Sequence, residues 1–250
     1  MEFDIEILKE LKNLKRQVAD LRRLEKGNFM DDSIGSGGWI EVPDGSWTYA
    51  SANTITVPSG AALIYEVSDQ LRAKQGVGYK FWDVIGVADT VLTVTGGSDY
   101  TVANATITDA AFSKGGGVGH PVWFDYTPTG IAASNVTLEG RFCILPNRLC
   151  YVYFLATFAG AITYTTGPTL PVPVSSNLLV PISDSIRYHG FGSYRDAGTG
   201  FFPDSLYITF NASDTIFNLR IQSNANIITA TTPITWANGD EIYAEFSYEI

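Results

Sequence analysis

The end of the chain constrains the fold most. Ile242, Ala244, Phe246, Tyr248 and Ile250 fall on one side of an extended segment, and Glu241, Tyr243, Glu245, Ser247 and Glu249 fall on the other. Successive side chains of a strand point to opposite faces, so this period of two predicts a half-buried antiparallel strand running to the last residue. The same signal recurs upstream. Leu206, Ile208 and Phe210 alternate with Tyr207 and Thr209, and Phe217, Leu219 and Ile221 alternate with Asn218, Arg220 and Gln222. Thr54 to Val57 alternates ahead of Pro58-Ser59-Gly60, and the β-branched run from Val91 to Thr95 stops at Gly96-Gly97. Short strands at this spacing predict a small β domain over 39–113 and a β-sandwich of jelly-roll type over 123–250. A glycine-rich stretch over 114–122, KGGGVGHP at its heart, reads as the linker between them.

The first 26 residues follow a different period. Ile7, Leu11, Leu14, Val18 and Leu21 are spaced four, three, four and three apart, which puts Leu11 and Val18 at heptad position a and Ile7, Leu14 and Leu21 at d. That stripe predicts a coiled-coil helix over 1–26 that associates in parallel, with Glu10 and Lys15 at g and the next e; packing on the chain's own surface is the alternative. The small, polar GNFMDDSIGSGG over 27–38 ends the helix on a glycine and reads as a hinge. The expected fold class is therefore mainly β, with an N-terminal coiled-coil helix, a small β domain and a C-terminal antiparallel β-sandwich.

Charge and motif content narrow the function. The net charge is −10, yet residues 1–26 hold seven of the 16 basic and six of the 26 acidic side chains, so the β-rich remainder is the more acidic part. Nucleic-acid binding rests on neutralising phosphates, and the basic residues after position 26 are scattered singly, which excludes a nucleic-acid partner. No apolar run reaches the length of a membrane span, and Glu2, Asp4 and Glu6 stand where a signal peptide would be basic, so synthesis in the cytoplasm is expected. No Walker loop, G-x-S-x-G elbow or H-E-x-x-H pair occurs, and His120 and His189 are the only histidines. Neither a catalytic residue nor a metal or other cofactor is expected, although a convergent carboxylate pair for glycoside hydrolysis leaves no mark in a sequence.

Cys143 and Cys150 flank a predicted hairpin, RFCILPNRLCYVYF. With Pro146-Asn147 as a two-residue loop, Leu145 faces Arg148 and the two cysteines face each other across the strands. They read either as small apolar residues of a sheet or as a disulfide. A second candidate is the stretch over 186–203, IRYHGFGSYRDAGTGFFP, where Tyr188, His189, Phe191, Tyr194, Arg195, Phe201 and Phe202 lie among four glycines. Aromatic faces and a planar cation on an adaptable backbone suit a sugar or a protein surface; the alternative is a connection whose aromatics fold back onto the sandwich.

From Trp39 the sequence carries larger motifs: GWIEVPDGSWTYASANTITVP, then TVLTVTGGSDYTVANATITDAAFS. Trp47-Thr48-Tyr49, Thr95-Gly96-Gly97 with Asp99-Tyr100-Thr101, and Ala103-Asn104-Ala105 stand in the order found in a module of tailed-bacteriophage structural proteins of the minor tail or tail-fibre type, which residues 39–113 resemble. Later pieces resemble such proteins less specifically: the hairpin around Gly140-Arg141-Phe142, Leu170-Pro171, and TWANGDEIYAEFSYEI over 235–250, while VSDQLRAKQGVGYKFW departs from the family's Gly-Asp-Lys-rich middle. The resemblance implies a non-enzymatic virion component, commonly a trimer, attached through its N-terminal part and contacting other virion proteins, with β domains that reach a host-surface glycan or protein. A head fibre or capsid decoration protein and a depolymerase of host polysaccharide are the alternatives.

Overall fold

The structure, a computed structural model, describes residues 37–131, 135–162, 166–175, 190–201, 205–210, 214–222 and 226–250. The N-terminal strands are β1 (Ile40–Glu41), β2 (Thr48–Ser51), β3 (Thr54–Thr56), β4 (Gln70–Gln75), β5 (Gly78–Ala88), β6 (Val91–Thr95) and β7 (Thr108–Ser113). They form one antiparallel sheet in the order β1-β7-β4-β5-β6-β3-β2. The β4–β5 hairpin closes through Gly76-Val77, and Gly76 at φ 70° supplies the positive φ that such a two-residue turn needs. Trp47, Ile55, Leu71, Trp82, Leu92 and Val94 make the core of this half, with the Trp47 indole donating to the Tyr65 hydroxyl at 3.1 Å.

The C-terminal strands are β8 (Phe124–Tyr126), β9 (Val136–Leu145), β10 (Leu149–Ala159), β11 (Gly190–Asp196), β12 (Gly200–Phe201), β13 (Leu206–Thr209), β14 (Asn218–Ile221) and β15 (Asn238–Glu249). The alternating terminal segment is β15, and its place between β10 and β11 makes it the central strand of a sheet ordered β14-β13-β11-β15-β10-β9-β8. Its apolar row lies buried on Phe154, Phe158, Phe217 and Trp236, and Tyr248 donates to the Val172 carbonyl at 2.7 Å.

The expected fold class is corrected. A jelly roll divides its strands between two facing sheets, whereas strands β8 to β15 hydrogen-bond into a single sheet, and Leu170, Val172 and Val174, from a segment without regular strands, join its buried core. Period two reports that one face is buried and leaves open what buries it. The described residues contain no α-helix; their one helical turn is the 3-10 turn Ala61–Leu63. The coiled-coil helix expected over 1–26, with Ile7, Leu11, Leu14, Val18 and Leu21, lies outside the described residues and forms no part of the fold as described, which is two antiparallel sheets.

The two sheets are clasped together. Edge strand β8 turns the Asp125 N–H and C=O away from β9, and the loop after β6 takes both: the Ser98 amide and hydroxyl donate to the Asp125 carbonyl at 2.7 and 2.9 Å, and the Asp125 amide donates to Asp99 Oδ2 at 2.9 Å. A Cβ on Gly97, which sits at φ 62°, would run into that same carbonyl, so the approach requires glycine. The 114–122 segment is packed into the joint. Gly117 lies under the Trp39 ring, Gln70 Oε1 accepts from the Gly116 and Gly117 amides, and the Trp39 indole donates to the Val118 carbonyl at 2.9 Å.

Candidate binding surface

The two faces of the C-terminal sheet differ in kind. β10 and β15 alternate residue by residue between buried and half-buried positions, so their outward side chains form a grid. The register sets one row across the strands as Asp125, Arg141, Tyr153, Glu245 and Phe191, and the neighbouring row as Glu139, Leu155, Tyr243 and Ser193. Tyr153 and Tyr243 meet edge to face at 5.2 Å between ring centres, Trp123 packs edge-on against Tyr151 at 5.7 Å, and the Arg141 guanidinium lies over Trp123 at 5.8 Å. Glu245 sits among the three tyrosines and accepts the Tyr151 hydroxyl at 3.0 Å. Burial first, and then the Glu245 carboxylate, push the Tyr151 and Tyr243 phenols up, so both stay protonated and able to donate.

Of the seven residues expected over 186–203, the structure brings two to this face. Phe191 is 72% exposed and ends the Glu245 row, and Arg195 reaches Glu241 at 3.4 Å. Tyr194, between them on β11, points into the core beside Trp236, because alternation on a paired strand sends neighbours to opposite sides. Phe201 belongs to β12, and Tyr188, His189 and Phe202 lie outside the described residues. Trp123, Tyr151, Tyr153, Tyr243 and Glu245 were missed by sequence reasoning. The alternation of β15 had already set Tyr243 and Glu245 on its polar side, and only the unknown strand order hid their neighbours.

A second cluster lies at the joint. His120, buried among the rings of Trp39, Phe81 and Phe124, holds Nε2 3.4 Å from Asp83 Oδ1. Nδ1 is 2.9 Å from the Pro121 carbonyl and Nε2 3.3 Å from that of Trp82; a neutral imidazole can donate to one of them. Burial pushes the Asp83 carboxyl well up and the His120 imidazole down, so both are drawn toward their neutral forms. Both line a cavity of about 260 Å³ that Gln70 and Cys143 also reach. Burial raises the Cys143 thiol, the opposite of what a nucleophile needs. Among the described residues no group of three or more His, Cys, Asp or Glu side chains is arranged to hold a metal ion.

The cysteine geometry is a correction. The β9–β10 loop has three residues, with Leu145 opposite Leu149 and Arg148 at φ 63°, so Cys143 faces Tyr151 and Cys150 faces Ile144. One residue of register puts Cys143 outward and Cys150 inward, and both are free. Burial pushes the Cys150 thiol up to about 12.

Compared with protein-family models, curated proteins and solved structures, the chain matches none.

Proposed function

We propose that this chain is a non-enzymatic structural component of a bacteriophage virion, a homo-oligomeric appendage of the tail, tail fibre or baseplate whose C-terminal sheet faces outward for assembly or host attachment. The observation that carries the reading is a division of labour. The more specific phage-module motifs, from Trp47-Thr48-Tyr49 to Ala103-Asn104-Ala105, fall in the N-terminal half, while the open aromatic and carboxylate face belongs to the other half, where the resemblance is less specific. A body anchored through the first and presenting the second suits a displayed protein. A trimer would add avidity to contacts that are weak one at a time.

Mass spectrometry of purified particles, with immunogold labelling, tests this. The chain should be a stoichiometric virion component labelled on the tail side of the particle, and light scattering should give three times the monomer mass. Label on the capsid would instead favour a head fibre or decoration protein. Absence from particles would overturn the virion reading altogether.

A further inference from the structure

We propose that the open face of the C-terminal sheet binds a glycan carrying free amino groups, with its sugar rings on Tyr153 and Tyr243 and its ammonium groups on Glu245 and Glu139. This deepens the attachment half of the reading above and rests on it for its biological setting. Binding itself is a property of the isolated chain.

Charge selects the amine. The two arginines of the grid are engaged, Arg141 with Asp125 at 3.1 Å and Arg195 with Glu241 at 3.4 Å. None of the described cations forms an ion pair with Glu139, Glu245 or Glu249, which leaves the face net acidic. An anionic polymer would be repelled, whereas an ammonium is drawn both to the carboxylates and to the electron-rich faces of the rings around them.

Shape and hydrogen bonding select the glycan. Peptides are taken up by an exposed strand edge, by a groove that receives a helix, or by an aromatic slot for proline. On this face β10 and β15 are inner strands, hydrogen-bonded on both sides along most of their length, so no edge is on offer. What the grid presents is rings alternating with hydroxyls and carboxylates: Tyr151, Tyr153 and Tyr243 with Ser193, Ser247 and Thr157. Rings stack on the C–H side of a pyranose, and carboxylates accept from its hydroxyls.

The test is calorimetry of the full chain with a glucosamine tetramer, its N-acetylated counterpart, and tetralysine. The glucosamine tetramer should bind at least about tenfold more tightly than the acetylated one. Tyr153→Ala combined with Tyr243→Ala should abolish binding without moving the melting temperature by more than a few degrees. Glu245→Gln, nearly isosteric, should erase the preference for the amine while leaving residual sugar binding. The proposal is overturned if neither sugar binds, if tetralysine binds as tightly as the glucosamine tetramer, or if sugar binding survives in a folded tyrosine double variant. A change of oligomeric mass in the tyrosine variant would also overturn it, by assigning the face to contacts between copies of the chain. A protein that binds the sugar yet is missing from virions would defeat the virion reading alone.

Discussion

β5 of the N-terminal sheet and β10 of the C-terminal sheet are equally long, and they are buried in opposite ways. In β5 Trp82, Asp83 and Val84 are buried in succession, and in β7 so are the four residues from Ala110 to Ser113. In β10 burial alternates without a break from Cys150 to Phe158. The N-terminal sheet has its core on one side, and along these parts of β5 and β7 the other side is covered as well. The C-terminal sheet has one face covered and the other open along β10 and β15. A strand covered on both faces has no polar side on which to display function, and a strand covered on one face has nothing else to do with its other side.

The comparison breaks first at the cores. Trp82→Ala in β5 and Phe154→Ala in β10 each empty a fully buried site and should cost about 3–5 kcal/mol. If the joint couples the sheets, either variant lowers a single urea transition. Two separated transitions in either variant would mean that the sheets stand independently.

Gly97→Ala attacks the joint itself and should cost about 3 kcal/mol, since it strains a positive φ and pushes on the Asp125 carbonyl. The loss should appear as uncoupling, with the C-terminal sheet melting separately in calorimetry. An unchanged single transition would show that the His120 side of the joint suffices.

Asp83→Asn sharpens the comparison through pH. Burial raises the Asp83 carboxyl above the usual value near 4, so unfolding releases a proton above that pH and stability falls as pH rises through the folded-state value. His120 is lowered from about 6.5; its contribution is complete above that pH and is lost as pH falls through the window below it. Asp83→Asn removes only the first slope, so its melting temperature relative to the parent should be level at pH 4 and climb toward pH 8. A variant that loses stability at pH 8 would show Asp83 and His120 to be an ionised pair.

The smallest effect is expected from the cysteines. Because Cys143 and Cys150 sit on opposite faces, melting temperatures with and without reductant should agree to within about a degree, in the parent and in the Cys143→Ser variant alike. A reductant-sensitive parent would mean that the hairpin shifts by one residue.

What could be read from the residues follows the same division. β15, β3 and β6 fall where their periodicity set them, since one face of each is distinct in chemistry. Leu206 to Thr209 also form a strand as expected, yet all four are buried, so the alternation of residue types there marks no open face. The β9–β10 loop was misjudged by one residue because Pro146-Asn147 suits a two-residue turn, and nothing local announces that Arg148 adopts a left-handed conformation. Asp83 and His120 stand far apart in the chain and meet only because β5 and the 114–122 segment share the joint; no local pattern could pair them. The glycines of that segment are ambiguous in themselves. They suit a hinge, and they suit equally a backbone pressed against Trp39.

The clasp on β8 has an evolutionary consequence. Ser98 and Asp99 hold main-chain atoms of Asp125, and Gly97 makes room for them; none of the three reads a side chain of the strand it grips. Besides the edge of that strand, the first half meets the Phe124 ring with His120 and Tyr100, and Ser68 donates to the Pro146 carbonyl at 3.1 Å. Those are modest terms for a genetic exchange. A second half with a different outward face could be spliced in behind residue 122 and still meet this main-chain clasp.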